Sequence, residues 1–534
     1  MPGSPVFRRV HLAALVLCAG MLPWSTALLS MAQMLLLANW VAWGIAEGAL
    51  KQRMRQAFTS PPVLVFLSFL GLHIVGLLWT TDQRWGQDLV RILAPVLVFG
   101  TVLGGGPRLT AGELRTVLLA GAWSAVGSAL LSIALAGPGI ADHRALSRFI
   151  SHIRLSLLLC MAIVVLLFHM PRKWPLRLVH GAGVLAAVYA LDRLESVQAA
   201  LILFLIAVAM AWRRSSRWRA PWRWAVRGAL TVVPIVALVW LGRMWERSIR
   251  LPVPAESGEG MFAPGGEPYT YDATNPQQEN GRHVWAWVAW HEAERAWALR
   301  SQRPLDGQDD QGEDLYATLA RYMTSMGLRK DSAGVMALSD ADIAAVLAGT
   351  TTAHRRGDDG LYGRMEDLLQ ELALYRATGR ADGHSLAQRL EYLRTGLSIA
   401  RQHWMFGVGT GDTQLAFDRE YERTGSPLEA QWRLRAHDLF LTWAISFGVF
   451  GAAWLLFSII WPAWRMGAWR DPRFIAWAIA FGITSLANDT VETQAGATFF
   501  ALFYALLVFA VPRPSGPATT ARYSASVAAA TTCG

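Results

Sequence analysis

The chain has 534 residues, of which 53% are hydrophobic and only 16% are charged, against about 25% charged in ordinary soluble domains. This deficit of charge makes a membrane protein the first class to test and argues against a purely soluble enzyme. The net charge of +10 would fit a nucleic-acid binder, but the basic residues are spread along the chain instead of forming one patch, so we expect no nucleic-acid partner.

Twelve apolar stretches predict membrane-crossing helices, because about 20 apolar residues span a bilayer. They lie near residues 10–23, 26–49, 60–79, 89–105, 112–136, 155–170, 177–191, 197–212, 228–242, 438–462, 473–489 and 495–511. The sequence therefore predicts an all-α polytopic membrane protein with about 12 transmembrane helices and one large, mainly helical outer loop. The predicted regions are an N-terminal membrane region at 1–242, a loop domain at 243–436, a C-terminal membrane region at 437–511 and a disordered tail at 512–534.

Lysine and arginine are distributed unevenly among the short loops. With the N-terminus placed in the cytoplasm, the segments on that side hold 21 of the 49 basic residues and the short outer loops hold five. Short cytoplasmic loops carry such an excess in membrane proteins. We therefore expect both termini in the cytoplasm and the long insertion outside, and we interpret the positive net charge mainly as an orientation signal.

The insertion contains helical patterns, one over 284–300 and another over 385–404. In the second, apolar residues recur every three or four positions, which is typical of one face of an amphipathic helix. These residues are Leu386, Leu390, Leu393, Leu397, Ala400 and Trp404. The glycines of FGVGTGD at 406–412 then either end this helix or arrange backbone N–H groups around an anion.

The stretch RLRAHD at 433–438 stands directly before the tenth apolar stretch. Arginine binds phosphate through a planar, permanently charged fork, and histidine can accept a proton from a hydroxyl near neutral pH. Further outward-facing arginines could join this cationic group. The candidates are Arg154, Arg193, Arg389, Arg433 and Arg435, with His437 as the titratable ring. The alternative reading is that these arginines anchor helix ends and that the histidine is structural.

Several motifs resemble those of the O-antigen ligase and polymerase superfamily, and of its ligase-like subgroup. RAHDLFLTWAISFGVFG at 435–451 is similar to the family's His-Asn-x-x-Leu motif, and FGVGTGD is similar to its second signature. SHIRLSL at 151–157 and RYMTSMGLRKDSAGV at 321–335 also resemble family segments. Two departures stand out, since Asp438 replaces the usual Asn and Ser196 is not followed by the usual Arg.

The resemblance implies a bacterial inner-membrane enzyme with a periplasmic loop and a periplasmic active site. Such an enzyme transfers a glycan, with inversion, from undecaprenyl pyrophosphate to a hydroxyl of lipid A-core or another acceptor. It works among membrane lipids and needs no metal and no cofactor. His437 would be the catalytic base, and the five arginines would bind the pyrophosphate or substrate, with Arg154 and Arg389 foremost. Asp438, Asp412 and Gly409 would support them.

Three other functions remain open from the sequence. An O-antigen polymerase and a protein O-oligosaccharyltransferase share the chemistry and differ in the acceptor. A lipid or glycan transporter belongs to another class and typically carries ionisable residues in the middle of its spans. Here Glu47, Asp88 and Asp489 lie near the ends of the predicted helices, which disfavours transport.

Overall fold

The computed structural model of the protein describes residues 5–136, 146–249, 260–272, 275, 277–279, 282–353, 375, 385–426 and 428–510. Within these ranges the chain forms two compact units. The first unit comprises residues 1–213, 393–423 and 434–534, and the second comprises 214–392 and 424–433. The predicted tail at 512–534 lies outside the described residues.

The described chain is almost entirely helical. Its helices before the insertion are α1 (Pro5–Met21), α2 (Thr26–Ala46), α3 (Leu50–Thr59), α4 (Pro61–Val75), α5 (Gln83–Ile92), α6 (Ala94–Gly105), α7 (Ala111–Ala136), α8 (His152–Phe168), α9 (Trp174–Arg193), α10 (Val197–Ser215) and α11 (Ala220–Ile249). After them come α12 (Trp290–Arg300), α13 (Leu315–Ser325), α14 (Ser332–Met336), α15 (Asp340–Leu347), α16 (Ser385–Gln402), α17 (Thr413–Thr424), α18 (Leu439–Arg465), α19 (Pro472–Ser485) and α20 (Gln494–Val508). The two described strands, β1 (Gln278–Glu279) and β2 (Arg282–His283), pair antiparallel.

Among the residues that the structure describes, seven helical segments are long and apolar enough to cross a membrane. They are Thr26–Ala46, Pro61–Trp79, Gln83–Gly105, Ala111–Ala136, Trp174–Arg193, Val197–Ser215 and Leu439–Arg465. Each of the twelve apolar stretches in the sequence overlaps a helix, which confirms the all-α class. The protein is therefore an all-α membrane protein with seven candidate spans, and twelve crossings remain a prediction.

Two short apolar helices, α8 and α20, form the interior of the first unit. Every residue from Ala495 to Val508 in α20 is buried, and the run from Leu155 to Leu166 in α8 is buried as well. Tyr504 of α20 stacks on Phe66 of α4 with ring centroids 4.5 Å apart and donates to the carbonyl of Ile459. Neighbouring helices therefore cover the polar group of this tyrosine as well as its ring.

The second unit has its own hydrophobic core, built around Trp297, Tyr322 and Met323. The predicted helix over 284–300 is correct only from Trp290 onward. The residues before it form turns and bends, with Trp287 left-handed at φ of 57°, while Val284, Ala286 and Val288 are buried. Backbone bridges from Val288 to Thr270 and Lys330 hold this segment in place of a helix.

Candidate functional site

His437 lies at the entrance to α18, in the first unit, and its backbone is left-handed with φ of 50°. Histidine visits this region more readily than most residues, but the conformation still costs about 1 kcal/mol or more and is common at functional sites. Asp438 follows as the N-cap of α18 and accepts a hydrogen bond of 2.9 Å from the Leu441 amide. The start of the helix thereby fixes the direction in which the His437 ring projects.

Asp489 is the carboxylate beside the His437 ring. Its Oδ2 atom lies 3.8 Å from His437 Nδ1, which is an ion-pair distance and longer than a hydrogen bond. The Thr442 hydroxyl donates to Asp489 Oδ1 at 2.8 Å and holds the carboxylate in place. Only 9% of the Asp489 side chain is exposed, whereas 42% of the His437 ring is. The imidazole therefore faces the buried Asp489 carboxylate on one side and is accessible from outside the protein on another.

The Asp438 carboxylate caps α18 through its Oδ1 atom, and its predicted supporting role for His437 stays a prediction. Burial raises the pKa of the Asp438 carboxyl, and the negative charge of Asp489 raises it further. Asp489 therefore interacts electrostatically with both His437 and Asp438, so these three groups lie close together.

Arg154 joins this neighbourhood from the first turn of α8. It interacts electrostatically with Asp489, and one Nη atom donates to the Ser151 hydroxyl at 2.8 Å. Its Nε atom is buried and has no hydrogen-bond partner among the residues that the structure describes. A buried guanidinium N–H without an acceptor is costly unless a ligand supplies one, so Arg154 is a candidate to bind an anion.

Arg435 is also close by, but it is committed to a buried partner. Its guanidinium pairs with Glu492 and lies 5.3 Å from the centre of the Trp85 ring. Burial raises the pKa of the Glu492 carboxyl to about 7, Asp489 adds to the rise, and Arg435 opposes it. The positive charge of Arg435 therefore partly compensates the burial of the Glu492 carboxyl, and this ion pair lies at one side of the site.

The remaining predicted arginines are placed differently. Arg193 ends α9 and is half-buried. The first turn of α10, which comes next in the chain, lies beside the loop that contains Asp489. There the side-chain amide of Asn488 donates to Gln198 Oε1 at 3.2 Å. Arg389, exposed on α16, and Arg433, whose Nε atom donates to the Leu428 carbonyl at 3.0 Å, belong to the second unit and are described within it.

The glycine-rich segment FGVGTGD is built into the membrane helices. The amides of Val408 and Gly409 donate to the carbonyls of Ile445 and Ser446 in α18, each at 2.9 Å. The Gly411 amide donates to the Thr80 hydroxyl at 3.2 Å. Gly409 has φ of 102°, and a Cβ atom there would lie 2.6 Å from the Thr80 hydroxyl. These N–H groups serve packing within the protein, which favours the structural reading over an anion-binding nest.

Asp412 completes this segment and anchors it to the chain after α4. Its carboxylate accepts from the Thr81 amide at 2.9 and 2.8 Å and from the Asp82 amide at 2.7 Å. Asp412 thus joins two loops of the first unit.

Sequence reasoning missed Asp489, Glu492 and Thr442 as members of the site. Asp489 and Glu492 stand in the polar stretch between α19 and α20, on the same side of the predicted topology as the start of α18. Their position on the same predicted side of the membrane as His437 was the sequence signal that could have identified them. Within the described ranges, no group of three or more His, Cys, Asp or Glu side chains is arranged to hold a metal ion.

A family model described as O-antigen ligase matches residues 322–457. The match includes the amphipathic helix α16, the glycine-rich segment and the RLRAHD stretch, and it ends inside α18. Arg154 and Asp489 lie outside it. No curated protein matches the chain.

Proposed function

The segment 322–457 belongs to the O-antigen ligase superfamily, and from that premise we propose that the protein is a metal-independent, inverting glycosyltransferase. It moves a glycan from undecaprenyl pyrophosphate to a hydroxyl of lipid A-core. Its membrane is the bacterial inner membrane, its termini are cytoplasmic and its active site is periplasmic. The excess of basic residues in the short loops on the opposite side supports this orientation.

One observation carries the proposal. A half-exposed histidine, His437, faces a buried carboxylate, Asp489, which also interacts with the buried guanidinium of Arg154. A base, a group that stabilises its protonated form and an anion binder are the three elements that this reaction requires. All three lie at the entrance to a membrane helix, where a lipid-linked donor can present its head group.

In the proposed reaction, His437 accepts the proton of the acceptor hydroxyl. Because Nδ1 is the ring atom that faces Asp489, the transfer is assigned to Nε2. The hydroxyl oxygen forms a bond to the anomeric carbon from the face opposite the pyrophosphate. The bond from that carbon to the pyrophosphate oxygen breaks, and the leaving group takes the electron pair. Asp489 stabilises the imidazolium, and Arg154 stabilises the growing negative charge on the leaving pyrophosphate.

The remaining arginines have proposed roles that follow from the resemblance. By the resemblance, Arg389, Arg193 and Arg433 would each contribute to binding the pyrophosphate or the substrate. Arg435 acts through its pair with Glu492, which keeps the wall beside His437 in place.

The decisive experiment uses purified protein in nanodiscs with an undecaprenyl-pyrophosphate glycan and three separate acceptors. These are lipid A-core, a second molecule of the lipid-linked glycan, and a serine-containing peptide. Transfer to lipid A-core, retained in EDTA and lost in His437→Ala, is the expected result. Transfer to the second donor molecule would identify a polymerase, and transfer to the peptide would identify a protein O-oligosaccharyltransferase. A folded protein that transfers to none of them, or only with added metal, would refute the mechanism.

A further inference from the structure

Helix α16 presents three faces, and one of them is apolar and exposed. Tyr392, Thr395 and Ile399 point into the protein and are buried. At Gly396 the helix approaches α18 so closely that a Cβ atom would lie 2.7 Å from the Leu441 side chain. The predicted apolar stripe is on a different face, about a third of a turn away.

Large apolar side chains in this stripe, and in the turn directly after α16, are unusually exposed. The exposed fractions are 39% for Leu393, 42% for Leu397, 53% for Trp404, 41% for Met405 and 67% for Phe406. An exposed apolar patch of this kind marks a surface that contacts a membrane, a ligand or another protein.

The end of α16 is inserted into a break in α18. Gly448 in α18 has φ of 65° and ψ of −173°, a conformation that essentially only glycine adopts. A Cβ atom at Gly448 would lie 2.2 Å from the Met405 carbonyl. Next to it, the Val449 amide donates to the Trp404 carbonyl at 2.8 Å. The segment from Trp404 to Phe406 is therefore fixed to α18 at this break.

The position of the break along α18 sets the depth of the segment. Helix α18 is broken at Gly448, and from Val449 it continues for a further 16 residues to Arg465, about 24 Å. This part is shorter than a hydrocarbon core of about 30 Å, so Val449 lies inside the hydrocarbon when Arg465 is at the opposite boundary. The exposed side chains of α18 continue the surface, with Phe450 61% exposed and its ring centroid 6.4 Å from that of Trp404.

We propose that Leu393, Leu397, Trp404, Met405 and Phe406 form a lipid-embedded surface in the leaflet at the N-terminal end of α18. Acyl chains cover the stripe, while Arg394 and Arg401, on the polar side of α16, reach the head groups. Part of the backbone at that depth is satisfied within the protein, since the Trp404 carbonyl accepts from the Val449 amide and the amides of Gly407, Val408 and Gly409 donate to protein carbonyls. The inference rests on the membrane assignment of α18 and is independent of the proposed transfer reaction.

The test places a nitroxide spin label at single cysteines in the full chain, in nanodiscs, and measures collision with oxygen and with a water-soluble nickel chelate. Cys18 and Cys160 are buried, and Cys533 is removed as Cys533→Ser. Labels at Leu397→Cys and Phe406→Cys should collide mainly with oxygen, as should a lipid-facing reference at Phe450→Cys. A matched aqueous reference is Leu299→Cys, a leucine of the second unit that is 79% exposed.

The expected result is an oxygen-to-nickel collision ratio at Leu397 and Phe406 that equals the ratio at Phe450 and exceeds the ratio at Leu299. Nickel collision equal to that at Leu299 would overturn the proposal, because the stripe would then be in water. Exclusion of both reagents would also overturn it, because protein from a second copy would then cover the stripe. Size-exclusion chromatography of each labelled variant establishes that it is folded.

Discussion

Asp489 and Asp412 are equally buried carboxylates of the first unit, with 9% and 8% exposed, but their surroundings differ completely. Asp412 bonds to the backbone amides of Thr81 and Asp82, and so it fastens one loop to another. Asp489 faces the His437 side chain and interacts with Arg154. Burial alone thus fails to separate a structural carboxylate from a functional one, and the nature of the partners does so.

The distinction between Asp489 and Asp412 depends above all on whether His437 is needed for glycan transfer. His437→Ala should lower the rate of glycan transfer by about 10²- to 10⁴-fold, the usual contribution of a general base. The rate is measured with radiolabelled donor at saturating acceptor, alongside the thermal unfolding of the purified variant. His291→Ala is the control, since that side chain is 72% exposed and lies in the second unit. Unchanged transfer by a folded His437→Ala protein would end the catalytic assignment.

Arg154→Ala should lower transfer by about 10²- to 10³-fold, the effect of removing one donor from an oxyanion site. Arg154→Lys should recover little, because an ammonium lacks the planar fork of a guanidinium. Arg148→Ala is the matched control, since Arg148 precedes the same helix and is exposed. Equal losses for Arg148→Ala and Arg154→Ala would show a general charge effect in place of a defined site.

Asp489→Asn should lower transfer by about 100-fold, because the imidazolium formed in the reaction loses the buried negative charge that faces it. The rate is measured at saturating acceptor, alongside the thermal unfolding of the purified variant. Unchanged transfer by a folded Asp489→Asn protein would remove Asp489 from the site.

Asp412→Ala should have the smallest effect on transfer per folded molecule and the largest effect on stability. Two partly buried amides then lose their acceptor, at a cost of about 1–3 kcal/mol. The measurement is thermal unfolding in detergent, with Asp418→Ala, an exposed aspartate of α17, as control. A stable Asp412→Ala protein with abolished transfer would place Asp412 among the functional carboxylates and reverse the comparison.

The sequence predicted the helical class and the place where α18 begins, because hydropathy is a local signal. It also singled out His437 and Arg154 by their motifs. It could not predict that Asp489 faces His437, because that proximity depends on how α19 and α20 pack against α18. No local pattern encodes the packing of helices that are distant in sequence.

Helix α16 shows a second limit of sequence reasoning. Its periodic leucines correctly predicted a helix, but periodicity alone does not say whether an apolar stripe faces protein or lipid. In the structure the side of α16 that faces the protein combines the large Tyr392 and Ile399 with Gly396, whereas Leu393 and Leu397 face outward. Close approach at a small residue is typical of helix packing in membranes.

The left-handed backbone at His437 has a practical consequence. Glycine adopts φ of 50° at no steric cost, so His437→Gly should leave the chain path and the space of the missing ring intact. Free imidazole added to that variant can then occupy the space and restore transfer in proportion to its concentration. Chemical rescue of this kind would isolate the contribution of the ring itself from that of the polypeptide that carries it.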